Sequence, residues 1–176
     1  TVTGSAAFIL GSNGKPPYIR AITTGKIVDL CVADANNMGA AMAPAFVDTV
    51  IAHFKDTGLK PTDYDLIVSG DLGSVGKALA LDLFRREGYD MKNVLDDCGT
   101  MIFDLESQDV HAGGSGCGCS AVVLSGYLLK KLETGVYKNI LFCGTGALLS
   151  PVSTQQGESI PAVCHAVAIS TEGGHI

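Results

Sequence analysis

The sequence has few charged residues and no tryptophan. Charged residues make up 17% of its 176 residues, whereas soluble domains typically have about a quarter. Hydrophobic residues make up 47%. A chain with so little charge has little solvated surface per residue. We therefore expect it to bury more than one face, either in its own core or against a partner.

Clustered cations and long apolar runs are also missing. The 12 lysine and arginine residues are scattered, and the formal net charge is −6. Nucleic-acid grooves and polybasic membrane patches both need clustered cations, so neither kind of site is expected. The longest apolar run, 121–129, is interrupted by Ser125 and Gly126, whereas a membrane span needs about 20 apolar residues.

The six cysteines show no spacing typical of a metal site. No secretion signal is apparent, so we interpret them as reduced thiols in a cytosolic compartment. A zinc site built from Cys98, His111, Cys117 and Cys119 is disfavoured, because only one residue separates the paired cysteines. We predict neither a metal nor a cofactor.

Helical and strand patterns alternate along most of the chain. Strands are predicted at 2–10 and 18–30, forming an opening hairpin, and later at 65–69, 139–143 and 162–170. Helices are predicted at 41–57, from the turn at 70–73 to about residue 87, and at 117–133. This order predicts an α/β fold with a mostly parallel, mixed five-stranded sheet. Helices should cover both faces, one of them a buried central helix.

The glycine-rich stretch 111–118, which precedes the central helix, is the strongest site candidate. Amide groups at a helix start attract anions, and glycine lets a ligand approach the backbone closely, so Gly114 and Ser115 are candidate ligand contacts. The same glycines are equally compatible with a close crossing of two helices.

Several further side chains could carry chemistry. Cys117 or Cys119 could act as a nucleophile with His111 as its base, although simple packing of the two thiols is favoured. Asp71 follows a strand end, where ligands bind in open α/β sheets, but a helix-capping role fits it equally well. Asp96 and Asp97 are interpreted as a solvated loop.

Several motifs together resemble the stage V sporulation protein AD family, and they occur in family order over nearly the whole chain. They are Thr1–Ala7, Met38–Pro44, Tyr64–Leu72, Asp96–Gly99, Ala112–Cys117 and Thr145–Pro151. The resemblance implies a thiolase-like fold built from two similar halves. Residues 1–30 would hold the last two strands of a preceding half, and 31–176 would form the C-terminal half-domain.

The resemblance also implies a function. The family binds dipicolinate and helps to load it into the developing spore. Expected partners are therefore dipicolinate, the N-terminal half of the same protein or a second copy, and membrane proteins of the spore uptake complex. The expected location is cytoplasmic, peripheral to the spore or forespore inner membrane. The expected ligand-binding residues are Asp71, His111, Gly114, Ser115, Cys117 and Cys119.

The sequence departs from the condensing enzymes that share this fold. In those enzymes the second half supplies a histidine after a strand and an asparagine before the last helix. By position, Asp71 and Ser115 stand there instead. We therefore predict a non-catalytic binding module with no catalytic residues. The alternatives are a thioester-forming acyltransferase and a structural docking subunit of a spore membrane complex.

Overall fold

Five strands form one open mixed sheet in the computed structural model, which describes residues 1–173. The strands are β1 (Tyr18–Thr24), β2 (Leu66–Ser69), β3 (Leu95–Asp97), β4 (Asn139–Ala147) and β5 (Ala162–Ser170). Their order is β1-β5-β4-β2-β3. Strand β2 runs parallel to β3 and β4, whereas β5 runs antiparallel to β4 and β1. The predicted five-stranded mixed sheet is confirmed.

Two long helices cover one face of the sheet. Helix α1 (Met38–Thr57) begins after Asn37, whose side chain accepts a hydrogen bond from the Ala40 amide, and it ends at Gly58 in the left-handed conformation. A 3₁₀ turn (Pro61–Asp63) leads into β2, and helix α2 (Gly73–Arg86) follows β2. The core between these helices and the sheet contains Phe46, Phe84, Ile67 and Leu141.

The other face is covered by α3 (Cys98–Met101) and by a continuous helical segment, 119–133, that we call the central helix. The central helix consists of α4 (Cys119–Val123), a π-helical turn (Leu124–Leu128) and α5 (Leu129–Glu133). Its inward side is buried, and its opposite side exposes Gly126 and Tyr127. A sixth helix, α6 (Pro151–Gln155), lies in the connection between β4 and β5.

The predicted opening hairpin is wrong. Residues 2–10 form no strand, and only β1 of the expected pair is present. The beginning of this segment is fixed, because the Val2 amide donates to the Ser115 carbonyl oxygen at 2.8 Å. Beyond it, Phe8, Ile9 and Leu10 are exposed. A strand needs a neighbour for its backbone groups, and these residues have none within the sheet. The division of the chain at residue 30 stays a prediction.

Within residues 1–173, no helix combines the length and apolar character that crossing a membrane requires.

Candidate functional site

Polar groups from two loops and the end of a strand meet at the carboxyl edge of the parallel strands. Asp71 follows β2, Thr145 lies late in β4, and Ser115 belongs to the glycine-rich stretch before the central helix. Because β2 and β4 are parallel, their carboxyl ends share one edge. There the Asp71 carboxylate accepts hydrogen bonds from the Ser115 hydroxyl at 2.8 Å, the Gly116 amide at 3.0 Å and the Thr145 hydroxyl at 3.3 Å.

Glycine allows these loops to approach so closely. A Cβ atom at Gly70 would lie 2.6 Å from the Thr145 hydroxyl oxygen, and one at Gly114 would lie 2.7 Å from a methyl group of Val2. Gly73 has a φ of +67°, which L side chains rarely adopt. The glycines therefore allow a close approach, as predicted, but here the approach is between segments of the protein itself.

The backbone amides of the glycine-rich stretch are largely used within the protein. The Gly113 amide donates to the Val110 carbonyl oxygen, and the Gly114 amide donates to the Gly99 carbonyl oxygen. The Gly116 amide donates to Asp71. The anion that this turn was predicted to attract is thus supplied, at Gly116, by the side chain of Asp71.

A cleft of about 500 Å³ opens beside Asp71 and Ser115. Its walls come from the loop before α1, the start of α2 and the glycine-rich stretch. They comprise Asp34, Asn36, Asn37, Met38, Gly39, Asp71, Leu72, Gly73, Val75, Ala112, Gly113, Gly114 and Ser115. Two of these residues are acidic, and none is lysine, arginine or histidine. The cleft is therefore acidic in this chain.

The structure brings together three of the six residues predicted to bind the ligand: Asp71, Gly114 and Ser115 line the cleft. His111 lies apart, with its side chain 90% exposed and its Nδ1 3.5 Å from a carboxylate oxygen of Asp109. Cys117 is exposed and does not line the cleft. Cys119 is buried, with its Sγ 4.0 Å from the Gly114 carbonyl oxygen. Their role in binding stays a prediction.

The buried thiol of Cys119 does not have the surroundings of a nucleophile. Burial, with smaller contributions from the carboxylates of Asp71 and Asp97, raises the pKa of Cys119 to about 11. The side chain of His111 is 90% exposed and lies beside Asp109. Among residues 1–173, no three His, Cys, Asp or Glu side chains are grouped so that they could hold a metal ion.

Sequence reasoning missed Asp97, which was expected in a solvated loop. Asp97 ends β3 and is fully buried. Its carboxylate accepts from the Ser69 hydroxyl at 2.6 Å and from the Leu72 and Gly73 amides at 2.7 and 3.0 Å. Burial raises the pKa of Asp97, and these hydrogen bonds oppose that rise. The available signal was the apolar pair Val94 and Leu95 directly before the two aspartates, which is compatible with a short buried strand.

Comparison with known proteins gives a family match over nearly the whole chain. Residues 1–170 match the family described as "Stage V sporulation protein AD (SpoVAD)". The chain is also similar to stage V sporulation protein AD of Bacillus subtilis (strain 168), with 44% identity over 174 residues. This match covers 99% of the chain and 51% of the relative, so the chain spans about half the relative's length.

Among solved structures, the chain is similar to a 3-oxoacyl-(acyl-carrier-protein) synthase III. The TM-score is 0.48 and the identity 15%, over 92% of the chain and 52% of the enzyme. It is also similar to MvaS in complex with 3-hydroxy-3-methylglutaryl coenzyme A, with a TM-score of 0.48 and 12% identity. That match covers 90% of the chain and 41% of MvaS.

Proposed function

Because the chain belongs to the stage V sporulation protein AD family, we propose that it is a non-catalytic binding module for dipicolinic acid, pyridine-2,6-dicarboxylate. In this proposal it aids uptake of the ligand into the developing spore. It acts in the cytoplasm, peripheral to the spore or forespore inner membrane and together with membrane proteins of an uptake complex. The remaining half of the relative's length completes the binding site.

The hydrogen-bonded pair of Asp71 and Ser115 carries the non-catalytic part of the proposal. These residues stand where the resemblance to condensing enzymes places a catalytic histidine and asparagine. Those enzymes need hydrogen-bond donors for a developing oxyanion. An ionised carboxylate only accepts hydrogen bonds, and the Ser115 hydroxyl already donates to it. A negative charge at this point would oppose oxyanion formation.

The size of the cleft supports a small ligand. Its volume of about 500 Å³ lies within the range of roughly 300–1,000 Å³ usual for small-molecule sites. A planar, rigid diacid loses little conformational entropy on binding, so few contacts suffice. The acidic residues that line the cleft cannot neutralise the negative charges of the two ligand carboxylates. We therefore propose that the balancing cations come from the complementary half.

Titration with dipicolinate tests this function. We use the chain joined to the complementary half of the Bacillus subtilis relative, which we call the two-half protein, and we use the chain alone. The two-half protein should bind dipicolinate by calorimetry, and the chain alone should bind much more weakly. The Ser115→Ala substitution should weaken binding about tenfold, because it removes a donor that fixes Asp71.

Ser74→Ala is the matched control. Ser74 is an exposed serine in the first turn of α2 and does not line the cleft. It should leave the affinity unchanged. No binding to the two-half protein at millimolar dipicolinate would reject the proposal. Equal effects of the two serine substitutions would place the ligand elsewhere.

A further inference from the structure

The junction of β3 and α3, which follow each other directly in sequence, contacts both main loops of the cleft, the 70–73 loop and the glycine-rich stretch. The first contact is the buried carboxylate of Asp97. One carboxylate oxygen accepts from the Ser69 hydroxyl and the Leu72 amide, and the other accepts from the Gly73 and Thr100 amides, the last at 3.2 Å. Three of these donors, from Ser69, Leu72 and Gly73, flank Asp71 in sequence, so the carboxylate fixes the chain on both sides of it.

The second contact is made by Gly99. Its carbonyl oxygen accepts a hydrogen bond from the Gly114 amide at 2.7 Å. A Cβ atom at Gly99 would overlap the Gly114 carbonyl oxygen and would lie 3.4 Å from the Cα atom of Asp71. Only glycine fits between the two loops. Gly99, at the start of α3, therefore sets the separation between Asp71 and the loop that carries Ser115.

We propose that Asp97 is a positioning residue for the dipicolinate site: its carboxylate holds the loop of Asp71 in the geometry that meets Ser115 and Gly116. This inference rests on the proposed function. Asp97 itself touches no ligand, because it does not line the cleft. It acts through the main chain of Leu72 and Gly73.

An aspartate is required because four donors converge on this side chain. A carboxylate only accepts hydrogen bonds, so both of its oxygens suit the surrounding N–H and O–H groups. The amide of an asparagine would turn an NH₂ group toward at least one of these donors. The resulting buried donor–donor contact would push the 70–73 loop away, while the volume of the side chain stays the same.

The test compares Asp97→Asn with Asp96→Asn in the two-half protein. Asp96 is a matched control, because one of its carboxylate oxygens accepts from Lys77 at 2.8 Å, the Thr100 hydroxyl at 3.2 Å and the Asp97 amide at 2.8 Å, and none of these donors belongs to a cleft loop. An asparagine at this position keeps an oxygen that can accept these bonds. Hydrogen exchange measured by mass spectrometry reports on each loop separately. Dipicolinate titration gives the affinity of each variant.

Asp97→Asn should speed exchange about tenfold or more in peptides covering 70–76 and 112–118, with exchange in β4 and β5 unchanged. It should weaken dipicolinate binding about tenfold, corresponding to the loss of a hydrogen bond to a charged group. Asp96→Asn should change neither. Ser69→Ala removes one of the four donors and should give a smaller effect in the same peptides, which provides a test if Asp97→Asn fails to fold.

The inference is overturned if Asp97→Asn and Asp96→Asn behave alike. It is also overturned if exchange rises equally throughout the chain, because Asp97 would then have only a general structural role. If the wild-type protein binds no dipicolinate but the loop-specific exchange appears, the proposed ligand is wrong and the positioning of the loops by Asp97 is supported.

Discussion

Cys119 follows the glycine-rich stretch directly in the sequence. In the acyltransferase alternative, this residue could be the nucleophile. Its thiol is fully buried, and the side chain of His111 is on the surface. With a pKa of about 11, about one Cys119 thiol in ten thousand is ionised at pH 7. Since the thiolate is the reactive form, Cys119 is a poor nucleophile.

We therefore predict that incubation with acetyl-CoA leaves the intact mass of the two-half protein unchanged. Iodoacetamide should label the exposed Cys31 and Cys117 quickly and Cys119 slowly at pH 7. Because the pKa of Cys119 is about 11, its labelling should speed up about tenfold for each unit of pH up to about 10. An acyl adduct that disappears in Cys119→Ala or Cys117→Ala would favour the acyltransferase alternative.

Two buried polar residues show where single-residue interpretation from sequence fails. His53 has the appearance of a surface residue late in a helix, yet it is fully buried. Its ring nitrogens bind the Thr23 hydroxyl at 2.8 Å and the Tyr64 hydroxyl at 2.6 Å. Asp97 is buried in the same way, with donors from 69–73. The partners of both residues come from elsewhere in the chain, so no local pattern reveals them.

At the scale of elements, the three long helical segments and four of the five strands followed from local patterns, whereas the short helices α3 and α6 and the buried face of α2 did not. The spacing of Val75, Leu79 and Leu83 suggested an apolar stripe, but Val75 and Leu79 are 47% and 41% exposed. The buried side carries Gly76, Ala80 and Phe84 instead. Gly76 and Ala80 are small because α1 crosses α2 closely at that point. A close helix crossing depends more on how near the two backbones can come than on hydrophobicity.

This crossing gives a prediction about two glycines. A Cβ atom at Gly76 would lie 2.8 Å from the Cα atom of Gly39 in α1, whereas one at Gly126 in the central helix would meet nothing within 4 Å. Gly76→Ala should lower the free energy of unfolding by about 1–3 kcal/mol, because overpacking outweighs the better helix propensity of alanine. Gly126→Ala should raise it by up to about 1 kcal/mol.

Chemical denaturation of the two-half protein measures both effects. If Gly76→Ala is as stable as the wild-type protein, the helices can separate without cost. The described contact between Gly39 and Gly76 would then not determine the packing of α1 on α2.

At the scale of the whole molecule, the chain has one sheet with helices on both faces but leaves residues 8–10 of its first segment exposed. Phe8, Ile9 and Leu10 expose 43%, 101% and 76% of their surface. The pattern of residues 2–10 predicts a strand, yet this segment pairs with neither edge strand of the sheet, β1 or β3. Sequence patterns report a local preference for extended backbone, and whether a strand forms depends on a partner strand. We propose that the complementary half of the relative's length provides it, rather than a second copy of the chain.

We predict that the chain and the separately produced complementary half of the Bacillus subtilis relative form a one-to-one complex, measured by sedimentation. Burying each large apolar side chain of the 8–10 segment contributes about 1.5–3 kcal/mol, so Ile9→Asp should weaken the complex at least tenfold. Val136→Asp is the control, because Val136 is 57% exposed in the turn before β4, at the opposite edge of the sheet from the cleft. If Ile9→Asp assembles as tightly as the wild-type chain, or if the chain alone forms a dimer that Ile9→Asp disrupts, the partner of this segment is not the complementary half.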